Sequence, residues 1–171
     1  IHQDGPRLVF REEENPRAKL MACARNDKLF TDGSDQAQLA KQVRYVIGGS
    51  DEVAKTFRVI ALPKSWQTDP WTSLDEAEQP ERWDDRLPVL VLPEEPEKVD
   101  QTLGRWLKDH LQKRRNTIRF LLPRSGSTNA FLDRDLLILA RAEMKAQEWS
   151  GQNPEYKKLH KEFEGTLRDN L

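Results

Sequence analysis

Three apolar runs in this chain close on the same Leu-Pro dipeptide: FRVIALP (Phe57 to Pro63), LPVLVLP (Leu87 to Pro93) and TIRFLLP (Thr117 to Pro123). Short, nearly continuous apolar runs of this kind read as strands of a parallel sheet. Proline has no N–H to give to a sheet ladder, so all three runs stop pairing at one edge. In an open α/β sheet the carboxyl-end edge is where ligands sit, so the repeat marks a place for function before it names one. The chain has 171 residues, 36% of them apolar, which supports one domain with a substantial core.

The fold expected from these runs is a single α/β domain of two or three layers. Its sheet is mixed, with a parallel core of about three to four strands and flanking helices. Pro6 to Phe10 supplies a short first strand, and Asn15-Pro16 supplies the cap and first-turn proline of a helix reaching Arg25, with Leu20, Met21 and Cys23 on it. A second helix starts at Ser34-Asp35, buries Leu39, Val43 and Val46, and ends at Gly48-Gly49. Between Pro63 and Leu87 lie Trp66, Trp71 and Trp83, several prolines and many acids, an ordered loop pinned by its tryptophans. Val99, Leu103, Trp106, Leu107 and Leu111 form one face of a helix over 99–115, which makes a strand-helix-strand unit with a right-handed crossover. A helix over 130–149 and a last one from Pro154 complete the chain, with Gly151 to Pro154 as the break. The domain therefore spans 1–150, and 151–171 is a C-terminal helix. Its stripe of Tyr156, Leu159, Phe163, Leu167 and Leu171 is still running at the last residue, and Ile1 opens the chain, so a segment of a longer polypeptide is expected.

Charge excludes some functions. Twenty-eight basic and 29 acidic side chains leave a net charge of −1, too little to steer the chain onto nucleic acid or an acidic membrane. A single cysteine excludes an internal disulfide and points to a reducing cytoplasm. No apolar stretch is long enough to span a bilayer, and no signal-peptide pattern is present.

Chemistry-bearing motifs are few. Gly49 to Thr56 reads GSDEVAKT, the GxxxxGKT frame with Ala54 in place of the second glycine. A phosphate-loop lysine and threonine open a helix, whereas here Phe57 begins a strand, so this is a helix-to-strand turn. Arg124, Ser125, Gly126, Ser127, Thr128 and Asn129 link the third strand to the next helix. Such a loop can offer N–H groups and a helix dipole to an anion, although the same residues are ordinary caps and loop filler. Lys113, Arg114, Arg115 and Arg119 form a basic cluster, read either as a helix-end complement to the dipole or as a nucleic-acid patch. His2, His110 and His160 are scattered and no Cys or His stands at metal-ligand spacing, so neither a metal site nor a catalytic residue is expected. Asp84-Asp85 and Glu94-Glu95 read as solvated charge, and Cys23 as buried and inert.

The words FREEENPRAKL, FRVIALPKSW with its DPW loop, VLVLPEE, LQKRRNTIRFLLPR and MKAQEW are found together here. In this order they resemble the region downstream of the ATPase core in large prokaryotic AAA-type ATPases, a domain of unknown function often encoded beside restriction or phage-defence genes. The resemblance implies a non-catalytic module that packs against the motor or relays its state to a partner. It places ATP and magnesium in the parent chain and no cofactor in this segment. The expected partner is the ATPase core of the same parent chain or another copy of this one, and the Tyr156 to Leu171 stripe must be buried either there or by folding back on this domain. The alternative is a nucleic-acid or phospholigand-binding module. An assembly module needs an exposed apolar strip, a nucleic-acid reader a contiguous basic face, and a phospholigand site free N–H groups at the loop.

Overall fold

The computed structural model describes residues 15–111, 113, 116–127 and 129–171; the strand expected at Pro6 to Phe10 lies outside them. Six helices surround a three-stranded sheet among the described residues: α1 (Pro16–Ala24), α2 (Ser34–Gly48), α3 (Asp51–Thr56), β1 (Phe57–Ala61), β2 (Leu87–Val91), α4 (Val99–His110), β3 (Arg119–Leu121), α5 (Arg134–Trp149) and α6 (Pro154–Asp169). The strands are all parallel and stand in the order β1-β2-β3. Their register aligns Val59 with Val89 and Arg119, Ile60 with Leu90 and Phe120, and Ala61 with Val91 and Leu121.

Sequential order in a parallel sheet has a consequence. Two crossovers of the same hand must lie on the same face. That face is the one bearing Ile60, Leu90 and Phe120. It carries both the tryptophan loop after β1 and α4 after β2, and together they bury Trp66, Trp83, Trp106, Leu111 and Ile118 in one core. Trp106 Nε1 donates to the Trp66 carbonyl at 2.6 Å, and its ring lies 5.6 Å from Trp71 and 5.8 Å from Phe120. Trp83 Nε1 donates to the Glu78 carbonyl at 2.7 Å, so the long connection is tied down by indoles although it contains only short 3-10 turns.

The opposite face depends on what precedes β1 and follows β3. α2 lies across β1, and Gly48 marks the closest approach: a Cβ there would stand 2.9 Å from Val59 Cγ2. Gly48→Ala is therefore expected to destabilise the chain by about 1–3 kcal/mol through overpacking. Val59→Ala in the Gly48→Ala background should recover part of that loss in a urea titration. Below α2, a second helical layer forms where α5 packs on α6, α1 and α2. Leu20, Ala24, Ala142, Ala146, Tyr156, Leu159 and Phe163 make one core there, and Leu39, Phe131, Ala140 and Leu167 make another.

Several elements depart from the sequence expectation. α4 ends at His110, so Lys113 lies beyond the helix and the last-turn bases are Lys108 and His110. The helix expected over 130–149 is divided: Ala130–Leu132 is a 3-10 turn, and Asp133 starts α5 by accepting from Asp135 N and Leu136 N. Of the α2 residues expected to be buried, Leu39 is, Val43 is half-buried and Val46 is exposed. The buried side of this helix includes Asp35 and Gln42 instead. Cys23 is half-buried rather than buried.

Candidate functional site

Lys55 and Thr56 close the six-residue α3, whose start is capped by Ser50 Oγ accepting from Val53 N at 3.3 Å, and Phe57 begins β1 at once. The lysine and threonine of the phosphate-loop frame are thus at the wrong end of a helix to face a phosphate.

The carboxyl end of β1 opens into a cleft of about 620 Å³ between the start of α2 and the tryptophan loop, with Ala61, Pro63, Lys64 and Leu74 in its wall. A second cavity of about 410 Å³ lies between α2, β1, α5 and α6, and the two share Lys41, Arg44 and Glu78. The guanidinium groups here are matched by carboxylates. Arg44 pairs with Glu78, Arg58 and Arg86 both reach Asp84 at 2.8 Å, and Arg168 reaches Glu164 at 2.6 Å. Arg86 and then Arg58 hold the Asp84 carboxyl well below the usual carboxylate range. Asp84 is exposed, as its Asp-Asp sequence context implies, and also ties the loop to β1. Glu94 likewise accepts from Asn129 Nδ2 at 3.0 Å.

Among the described residues, the loop after β3 leads into a 3-10 turn and not directly into a helix. Arg124, Ser125, Gly126 and Ser127 are exposed, Asn129 is buried, and Thr128 lies outside the described residues. Ser127 N donates to the Arg124 carbonyl at 2.9 Å, Ala130 N to Pro93 O at 3.3 Å, and Phe131 N to Asn129 Oδ1 at 2.9 Å. The Glu94 carboxylate stands at Asn129, and the 3-10 turn separates the loop from α5, whose own N-terminus is occupied by Asp133. This corrects the premise that the loop runs straight into a helix dipole.

In the basic cluster, Lys113 and Arg119 are exposed while Arg114 and Arg115 lie outside the described residues. Arg119 Nη1 donates to the Ile118 carbonyl at 3.1 Å. Of the burials open to the helix stripe, the structure shows folding back: Tyr156, Leu159, Phe163 and Leu167 are buried against this chain's own helices, and of the stripe only Leu171 is exposed. Folding back on the domain, the stripe leaves no apolar strip on α6 for a partner.

The apolar strip lies elsewhere. On the face of Val59, Val89 and Arg119, burial decreases from strand to strand. Val59 and Ala61 are buried beneath α2, Val89 and Val91 are half-buried, and Leu121 is 42% exposed. No sequence pattern pointed to this surface, because TIRFLLP has the apolar content of a strand covered on both sides.

Sequence–structure comparison adds no relative: no protein-family model, curated protein or solved structure matches this chain. The fold and site place it among small α/β domains, and no helix among the described residues is long and apolar enough to cross a membrane.

Proposed function

We propose that this chain is a non-catalytic α/β module of a larger prokaryotic P-loop ATPase of the AAA type, packing against the motor or relaying its state to a partner, with phage defence as the setting the resemblance implies. The observation that carries this reading is Leu121 of β3, an exposed apolar side chain on the sheet face that, among the described residues, helices cover over β1. Parallel sheets are covered on both faces almost without exception, and here the chain's own helices cover the second face over β1 while Leu121 stays 42% exposed. The inverted position of Lys55 and Thr56 supports the non-catalytic half of the reading.

Two measurements test it. ATP turnover by the purified chain should be indistinguishable from that of Lys55→Ala. In the protein that carries the ATPase core, Leu121→Asp should lower turnover or core association at least fivefold, while leaving the stability of the isolated chain within about 0.5 kcal/mol, as for an ordinary surface position. Turnover by the chain alone that disappears in Lys55→Ala would overturn the proposal.

A further inference from the structure

The floor of the second cavity holds a group of side chains that the proposed function does not use. Glu143 of α5 is only 2% exposed, and its carboxylate accepts from Gln38 Nε2 of α2. His160 and Glu164 stand one turn apart on α6, so they share a helix face, and His160 Nδ1 lies 3.3 Å from Glu143 Oε1. One donor atom from each of Glu143, His160 and Glu164 falls within 4.8 Å of the others. Two donors on a tetrahedral ion at zinc-type bond lengths stand about 3.4 Å apart, so His160 Nδ1 and Glu143 Oε1 are already at ligand spacing and Glu164 has to turn inward to join them.

A second observation concerns the imidazole alone. His160 Nδ1 is shut off from solvent and has no hydrogen-bond partner, because its approach to Glu143 is close but not aligned as a hydrogen bond. Buried polar nitrogens are almost always satisfied, and a neutral imidazole nitrogen in this state is a ready metal ligand. Burial drives the Glu143 carboxyl above its ordinary range. Gln38, His160 and Lys41 act against that shift, and Glu164 adds to it. Lys41 is thus the one cation of α2 that competes for the same charge. Outside the three donors, Gln38 orients Glu143, and Arg168 holds Glu164 at 2.6 Å while lying over the Tyr45 ring. Outer groups of this kind fix ligand orientation in metal centres.

We propose that Glu143, His160 and Glu164 form a mononuclear site for a divalent transition-metal ion, with its remaining positions open to water in the 410 Å³ cavity. One imidazole and two carboxylates, with no thiolate, form a donor set for Zn²⁺ or Mn²⁺ rather than for a soft ion. The sequence did not expose this site because Glu143 and the His160/Glu164 pair come from different helices, which the fold of α5 on α6 brings together. The site stands independently of the ATPase reading.

The test is titration of the metal-stripped chain with Zn²⁺ by calorimetry, and with Co²⁺ by its visible absorption. One equivalent should bind, and His160→Asn and Glu164→Gln should each weaken Zn²⁺ binding at least tenfold and remove the Co²⁺ band, with helical circular dichroism unchanged. Both substitutions are near-isosteric and on partly exposed positions of α6, and the wild-type titration is decisive without them. Absence of stoichiometric binding at millimolar Zn²⁺ would overturn the proposal. So would binding of undiminished affinity in both variants, which would place the ion on other residues.

Discussion

Trp106→Ala is expected to lower the unfolding free energy by about 3–5 kcal/mol, the range for deleting a large aromatic from a closed core. Trp106 is 3% exposed and sits where the tryptophan loop, α4 and the sheet meet, in ring contact with Trp66, Trp71 and Phe120. Its loss removes the packing that holds a connection with almost no regular structure of its own, so the loop should lose its protection together with the sheet. Trp106→Phe separates two contributions. It keeps much of the apolar volume but leaves the Trp66 carbonyl without its 2.6 Å donor, which should cost about 1–3 kcal/mol. Urea titration monitored by far-ultraviolet circular dichroism distinguishes these outcomes, and equal effects of the two substitutions would contradict the account of the core.

Arg141→Met should be as damaging for an electrostatic reason. Arg141 Nε donates to Asp35 Oδ2 at 2.8 Å, and its Nη1 donates to Asp27 Oδ1 at 2.6 Å and to the Ala24 carbonyl at 3.2 Å. The guanidinium also lies 4.8 Å from the centre of the Phe30 ring. The Arg141 and Asp35 side chains are 8% and 5% exposed, so removing the cation strands a buried carboxylate, at a cost of about 3–5 kcal/mol. Asp27 is mostly exposed and contributes little by itself, although its hydrogen bond from Arg141 holds its carboxyl below the ordinary range. The double variant Asp35→Asn with Arg141→Met should recover a large part of the loss, because breaking one side of a buried pair costs more than replacing both. A double variant no more stable than Arg141→Met would show that the pair's energy lies in packing, not charge.

What the sequence revealed, and what it concealed, follows from how local each signal is. The Leu-Pro endings identified all three strands, since ladder termination by proline is a property of the residue itself. Asn15-Pro16 located the start of α1 and Pro154 that of α6, for caps and first-turn prolines are equally local, while Ser34-Asp35 marked the first turn of α2, whose cap position is Gly33 without a side-chain cap bond. Register was not legible, nor was the exposure of Leu121, because both depend on which helices cover which strand. The buried ion pair Arg141–Asp35 and the bond from Gln38 to Glu143 each join α2 to α5 across more than a hundred residues, and charged residues at such separations look like solvent-facing ones until the helices meet. The stripe on α6 was legible as a stripe, but not as a core shared with α1. The loop of Arg124 to Asn129 looked like an anion site because serine, threonine and asparagine cap helices and bind anions with the same groups; of the described residues in it, Asn129 is used by the chain itself as the cap of the next 3-10 turn.

If the proposed ATPase-bearing parent exists and packs on the face over β2 and β3, Leu121 is covered there and exposed in the isolated chain. The most direct measurement is the maleimide labelling rate of a single cysteine placed by Leu121→Cys, with Cys23→Ser removing the native thiol. In the isolated chain the new thiol should react at the rate of an exposed cysteine; in the ATPase-bearing protein it should react at least tenfold more slowly. Equal rates in the two would contradict the account.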